Sequence, residues 1–140
     1  MTQKEQEHIK QKGYKEAMRY IANAKDYLQK SAIDEKGWYT DKKYVRTACG
    51  TAYCGVLEAL KTYLELKNPE ILKSKEPKTI DFFRKHLAKE NKKVLKELNH
   101  VYAILHLLGY YEGVGAPNIK DAFRDAKEII NLIKPAGVAQ

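Results

Sequence analysis

Residues 44–66, YVRTACGTAYCGVLEALKTYLEL, constrain the fold more than any other stretch of the chain. They contain no proline and read as one long helix. At about 100° per residue, Ala48, Ala52, Gly55, Ala59 and Thr62 fall on one narrow stripe of small residues. Beside it runs a wide band of Val45, Cys49, Tyr53, Val56, Leu57, Leu60, Tyr63 and Leu64. Only Thr47, Thr51, Glu58, Lys61 and Glu65 make a strip suited to water. A surface helix buries a single stripe, whereas one apolar over this much of its circumference is covered on more than one side. The small stripe predicts a closely approaching neighbour and the large band predicts a core. The stretch is therefore expected to be the central helix of a bundle.

The flanking segments supply the remaining helices. Residues 3–32 carry Tyr14, Ala17, Met18, Ile21, Lys25, Leu28 and Ala32 on one face, a helical period sustained over several turns. Gly13 interrupts that pattern, and Ile9, Tyr20 and Tyr27 form a second stripe, either the flank of the core or a strip for a partner. In the connection 34–41, Gly37 is the expected helix stop and Thr40 or Asp41 the expected N-cap of the central helix. Trp38, the one tryptophan, is expected to plug the end of the bundle; the alternative is that it lines a ligand site. A third helix is expected from Thr79 to Leu108, with Phe83, Leu87, Val94, Leu95, Leu98, Val101, Tyr102, Leu105 and Leu108 on its core face and Arg84 and Asn91 beside them. Its far end, VYAILHLLGYY, is apolar nearly all round, so it is either doubly covered or an oligomer contact. The glycine-rich turn 109–117 leads to a fourth helix over 118–134, capped by Asn118 and stopped by Pro135, with the tail after it expected to fray. No stretch alternates like a strand. The expected fold is all-α, a single domain over 1–140 forming an antiparallel up-down four-helix bundle with helices at about 3–32, 42–66, 79–108 and 118–134.

Composition narrows the environment. A chain of 140 residues, 44% hydrophobic and 31% charged, is of a size and make-up that buries a real core. The opening MTQKEQEHIKQK is polar, and no segment approaches the roughly 20 apolar residues of a membrane span, so the protein is expected to be cytoplasmic and off the membrane. Cys49 and Cys54 lie about 140° apart around one helix, which favours neither a disulfide nor a shared metal; both are expected to be free thiols. The net charge of +8 is local. Residues 1–30 carry seven basic and four acidic side chains and residues 67–97 carry ten and five, while the other two segments balance. Such a surface can attract polyanions. Yet only Arg19, Arg46, Arg84 and Arg124 are arginines among the basic residues, and planar phosphate recognition usually enlists Arg. Solvated lysine faces are the plainer reading.

Catalytic and cofactor motifs are missing. His8, His86, His100 and His106 include no HExxH pair; Glu5 and His8, and Glu97 and His100, have the Glu-x-x-His spacing, but the inward carboxylates are too few for a carboxylate-bridged metal pair, so no metal is expected. No GxxxxGK[ST] loop and no GxSxG elbow is present. The turn GYYEGVGAPN could offer backbone N–H groups to an anion at a helix start, although Pro117 removes one donor; a capped turn is the alternative. No cofactor and no catalytic residue is assigned.

The order of features resembles the HEPN (higher eukaryotes and prokaryotes nucleotide-binding) superfamily of small helical bundles, and within it a small bacterial group of HEPN-like proteins. The resemblance rests on VRTACGTAYCGVLEALKTYL, on the long third helix with its glycine-rich exit, and on the closing helix DAFRDAKEIINLI. HEPN ribonucleases carry an Arg, four to six residues, then a His. Here Arg84 and His86 are separated by one residue, and Arg19, Arg46 and Arg124 have no His in range. What the resemblance implies is thus the branch of non-catalytic members: a binding or accessory module for a nucleotide or a nucleotidyltransferase-type partner. Self-association as a homodimer and a protein partner are further expectations. The alternative is an RNA-binding or RNA-cleaving protein using the basic 67–97 region, with Arg84, Lys85, His86, Lys89, Lys92 and Lys93 as the ligand contacts.

Overall fold

In a computed structural model, residues 1–109 and 116–138 are described, and among them every named element is helical. Helix α1 spans Gln3–Gln29, α2 Lys42–Lys67, α3 Glu70–Lys73, α4 Ile80–Glu90 and α5 Lys92–Val101. A π-helical segment, Tyr102–Gly109, continues α5. Helix α6 is Ala116–Ile130, closed by a 3₁₀ turn, Asn131–Ile133. No described helix is long and apolar enough to cross a membrane.

Helix α2 is the centre that its pattern predicts. All five residues of the small stripe are buried, as are Val45, Cys49, Tyr53, Val56, Leu60 and Leu64 of the large band. The two faces take different neighbours. Along the small stripe α1 runs antiparallel, with Gly13 against Thr62 and Ala17, Tyr20 and Ile21 against Gly55. The approach is close enough that a Cβ on Gly13 would lie 2.1 Å from Thr62 Oγ1. Gly13, a flaw on a helical wheel, is thus the residue that lets the two backbones meet. Along the large band Tyr63, Tyr53 and Cys49 meet Asn91, Tyr102 and Gly109 in turn, so this second neighbour also runs antiparallel. Opposed pairs His100–Asp125 and Glu97–Glu128 place α6 antiparallel to α5. Phe82, Phe83, Leu60, Leu98, Leu105, Ile119, Ile129 and Ile130 are among the largest fully buried side chains. Each contributes about 1.5–3 kcal/mol by leaving water.

The expected third helix is not continuous. It is broken at Asn91, whose extended backbone (φ −163°, ψ 96°) ends α4 and begins α5. Asn91 Oδ1 accepts from Val94 N at 3.2 Å, the N-cap of α5, while its Nδ2 donates to Tyr63 Oη at 3.2 Å. A polar residue on the core face is therefore a corner, bonded on both sides. The break folds α4 back along α5. Arg84 Nε reaches Asn99 Oδ1 at 2.8 Å, although 15 residues of unbroken helix would separate them by about 22 Å.

Other boundaries also move. Helix α1 stops at Gln29, three residues short of the expected end, because Lys30 and Ser31 N–H groups tighten onto Tyr27 and Leu28 carbonyls. Ala32, expected on the core face, is exposed. The chain then makes a small hairpin. Asp34 Oδ1 accepts from Lys36 N and Trp38 N, Ala32 O accepts from Thr40 N, and Gly37 takes φ +82°, a left-handed conformation suited to glycine. Asp41 is the N-cap of α2, accepting from Lys43 N at 3.1 Å. Trp38 does not plug the bundle: it is 49% exposed on the outside of the hairpin. Thr79 begins α4 without a side-chain cap bond. Helix α6 begins at Ala116, two residues early, with its N–H bonded to Gly37 O at 2.8 Å, so Asn118 lies inside the helix and does not cap it. Residues 110–115, which hold most of the glycine-rich turn and its anion-binding expectation, lie outside the described residues, as do the last two of the tail.

The cysteines separate as expected. Both are free, Cys49 buried and Cys54 exposed. Burial raises the Cys49 thiol from 9.0 to about 12, leaving almost no thiolate at neutral pH. Native protein is therefore expected to take up one equivalent of iodoacetamide at Cys54, and a second only on unfolding. Peptide mapping of the labelled chain reads this directly, and rapid native labelling of Cys49 would contradict the packing of α2.

Candidate functional site

The fold-back at Asn91 assembles a site that the linear sequence does not display. Arg84 projects from α4 with its guanidinium carbon 4.9 Å from the Tyr102 ring centroid, a cation–π distance. Its Nε is fixed by Asn99, and its NH1 lies 3.6 Å from the exposed carboxylate of Asp81. Tyr102 opens the π-helical segment. Its ring stacks on His106 with centroids 5.2 Å apart, and His106 stacks in turn on Tyr53 of α2 at 4.9 Å. Tyr53 and Tyr102 complete the triangle at 5.9 Å.

A π turn is wider than an α turn and occurs mostly where function or packing demands it. Here the segment brings Tyr102 and His106 face to face and seats Gly109 against Cys49, where a Cβ would lie 2.5 Å from Sγ. Burial pushes the Tyr53 hydroxyl up to about 12, with Tyr102 adding to the shift and Arg84 opposing it. Tyr53 therefore stays a neutral hydrogen-bond donor across the physiological range. The cluster offers one fixed guanidinium beside three aromatic rings, with His106 stacked on both tyrosines, at the edge of the helical core.

The six contacts expected from sequence do not form one array. Arg84 turns to Tyr102 and Asn99. Lys85 is held by Glu76, with Nζ 2.8 and 3.0 Å from its two carboxylate oxygens. His86 packs on the Phe82 ring at 4.6 Å; burial lowers its pKa, and the nearby charges of Lys85, Lys89 and Lys78 lower it further against the opposing pull of Glu76. These groups form a second, cationic neighbourhood around the start of α4, where Lys78 also covers the Phe82 ring at 4.7 Å. Lys92 and Lys93 lie beyond the corner on α5, and Lys93 approaches Glu97 at 3.9 Å. The other arm of α5 carries His100, whose Nδ1 is 2.6 Å from Asp125 Oδ2 on α6.

Sequence reasoning missed Asn99 as the partner of Arg84 and His106 as the ring stacked on Tyr102. The only signal was Asn91, a good capping residue in mid-helix. A surface concavity of about 680 Å³ between α1 and α2 lies elsewhere. It mixes both signs of charge, and Arg19 and Lys61 within it are already paired with Glu16 and Glu58. Among the described residues no group of three His, Cys, Asp or Glu side chains could hold a metal.

An all-helical chain around one central helix, with an arginine–aromatic cluster at its edge and no described metal-binding group, defines a class of small helical proteins. Within that class the chain belongs to the DUF5618 family, a domain of unknown function, whose model matches residues 12–135. It is similar to a solved protein of unknown function from Dyadobacter fermentans, with 38% identity, a TM-score of 0.73, and coverage of 89% of this chain and 94% of that one. A protein from Sulfolobus solfataricus shares the fold at 20% identity, with a TM-score of 0.63 and coverage of 84% and 92%. No curated protein matches the chain.

Proposed function

We propose that this protein is a cytoplasmic, non-enzymatic helical module of HEPN-like, four-helix up-down architecture that binds a nucleotide. It would act alone, as a homodimer, or beside a nucleotidyltransferase-type partner. The observation that carries the reading is Arg84 held over Tyr102 next to the His106–Tyr53 stack. Aromatic rings and guanidinium planes accept a nucleobase by stacking, and a fixed guanidinium meets a phosphate with paired N–H groups. The antiparallel contacts of α1 with α2, of α2 with the α4–α5 arm, and of α5 with α6 support the bundle. The two free cysteines suit a reducing compartment.

Calorimetric titration with ATP tests the binding. Saturable binding that falls about tenfold in Arg84→Ala is expected, since a desolvated cation–π and phosphate contact together contribute on the order of 1–2 kcal/mol. Equal binding by Arg84→Ala, or none by the wild type, sinks the reading. Light scattering at high concentration tests the dimer, which a strict monomer would remove.

One observation favours the second reading, RNA binding or cleavage. Arg84 and His106 meet on the same Tyr102 ring despite the missing Arg-x(4–6)-His spacing. Cleavage of single-stranded RNA that disappears in Arg84→Ala or His106→Ala would decide for it. Binding that weakens steeply with salt and is lost when Lys85, Lys89, Lys92 and Lys93 become Glu would place RNA on the lysine-rich face.

A further inference from the structure

A second recess, of about 320 Å³, lies between the end of α1, the 32–40 hairpin and the start of α6. It is at the small end of the range for ligand pockets. Leu28, Ile33, Tyr39 and Phe123 line it, and Lys25 and Lys120 flank it from two helices. We propose that this recess binds a small organic carboxylate with an apolar body, the body against Phe123, Tyr39, Leu28 and Ile33 and the carboxylate between Lys25 and Lys120.

Three observations carry the assignment. First, Lys25 of α1 and Lys120 of α6 reach the same recess from two different helices. Second, neither lysine has a hydrogen bond or ion pair among the described residues, so both ammonium groups are free to meet an anion. An anion between the two satisfies both. Third, the wall is built before any ligand arrives. The Asp34 carboxylate, the Thr40–Ala32 bonds, the Gly37–Ala116 bond and the Ser31 Oγ–Asp41 N bond (2.9 Å) hold the hairpin to both helices, so little ordering entropy opposes binding.

The polar chemistry favours carboxylate over phosphate. The recess has no arginine. The Ala116 N–H at the helix start is spent on Gly37 O, and Pro117 has none to give. Burial holds the Tyr39 phenol above its ordinary pKa, so it remains a donor for one carboxylate oxygen. The recess shares no residue with the Arg84 cluster, and its fate leaves the nucleotide reading untouched.

The test is an NMR titration of the full chain with decanoate below its micelle concentration, beside decanol and decyl phosphate, in wild type and in a Lys25→Gln/Lys120→Gln double variant. Both lysines are exposed, and a matching thermal melt checks that the variant folds. Expected is saturable decanoate binding with shifts at Ile33, Tyr39 and Phe123. The double variant should weaken it about tenfold, the product of two exposed charge pairs each worth roughly a factor of three, and should leave decanol unchanged. No saturable binding, equal decanoate binding by the double variant, or shifts outside the recess would overturn the proposal. Tighter binding of decyl phosphate than of decanoate would overturn the carboxylate assignment.

Discussion

Replacing Gly13 with alanine is expected to destabilise the protein by about 2 kcal/mol, although alanine outranks glycine in a helix interior by about 1 kcal/mol. A Cβ at Gly13 would meet Thr62 Oγ1 at 2.1 Å, Cγ2 at 2.7 Å and Cβ at 2.8 Å. Thr62 is buried and branched at Cβ, so it cannot swing clear, and α1 must move off α2. Overpacking of this kind costs about 1–3 kcal/mol or more. For a chain of this size, a net loss of about 2 kcal/mol lowers the melting temperature by roughly 6 °C. The partner variant makes the test specific. Thr62→Ala removes Oγ1 and Cγ2, two of the three nearest atoms, so Gly13→Ala/Thr62→Ala should lie about 1 kcal/mol above the sum of the single changes. A Gly13→Ala variant that melts higher than wild type would show that helix propensity alone governs this site and that the close contact is absent.

Asn91→Ala is the second large effect, expected to cost about 1.5–3 kcal/mol. It removes the N-cap of α5, a loss of about 1 kcal/mol, and leaves Tyr63 Oη without its 3.2 Å donor, a loss of similar size. The consequence reaches the Arg84 cluster. With the corner intact, Arg84 sits 4.9 Å from the Tyr102 ring; on an unbroken helix, 18 residues would put them about 27 Å apart. Chemical denaturation should show the stability loss, and nucleotide binding should weaken in the same variant. Amide exchange at Val94, whose N–H is bonded to Asn91 Oδ1, should quicken. Unchanged stability and exchange would mean that α4 and α5 hold their angle without Asn91.

These two positions mark how far the sequence could be read. The double-faced pattern of α2 was legible because burial on two sides leaves a periodic trace, and the stripe of Ala48, Ala52, Gly55, Ala59 and Thr62 announced a close neighbour. Which residue of α1 would come closest was not legible. Gly13 has no side chain to enter a hydrophobic pattern, and its value lies in an atom that is missing. The third helix misled for a related reason. Phe83, Leu87, Val94 and Leu98 keep a helical spacing straight through Asn91, since both arms of the corner face the same core. Periodicity reports which side is buried and is silent about a change of axis. The candidate site followed that error. A wheel that runs unbroken past Asn91 sends Arg84 far from Tyr102, and charge alone groups it with Lys85 and His86 in the basic 67–97 region. Structure assigns them to Glu76 and Phe82 instead. Trp38 reads as a plug because aromatic rings often close a core edge, yet the Asp34 turn leaves it 49% exposed.

The proposed nucleotide site is the Arg84–Tyr102–His106–Tyr53 cluster. A two-dimensional NMR titration of the aromatic and histidine side-chain signals with ATP tests that claim most directly. Saturable shifts of the Tyr102, His106 and Tyr53 rings are expected, with one affinity common to all three and lost together in Arg84→Ala. Shifts confined to Lys85, Lys89, Lys92 and Lys93, or rings that stay unmoved at saturating ATP, would contradict it.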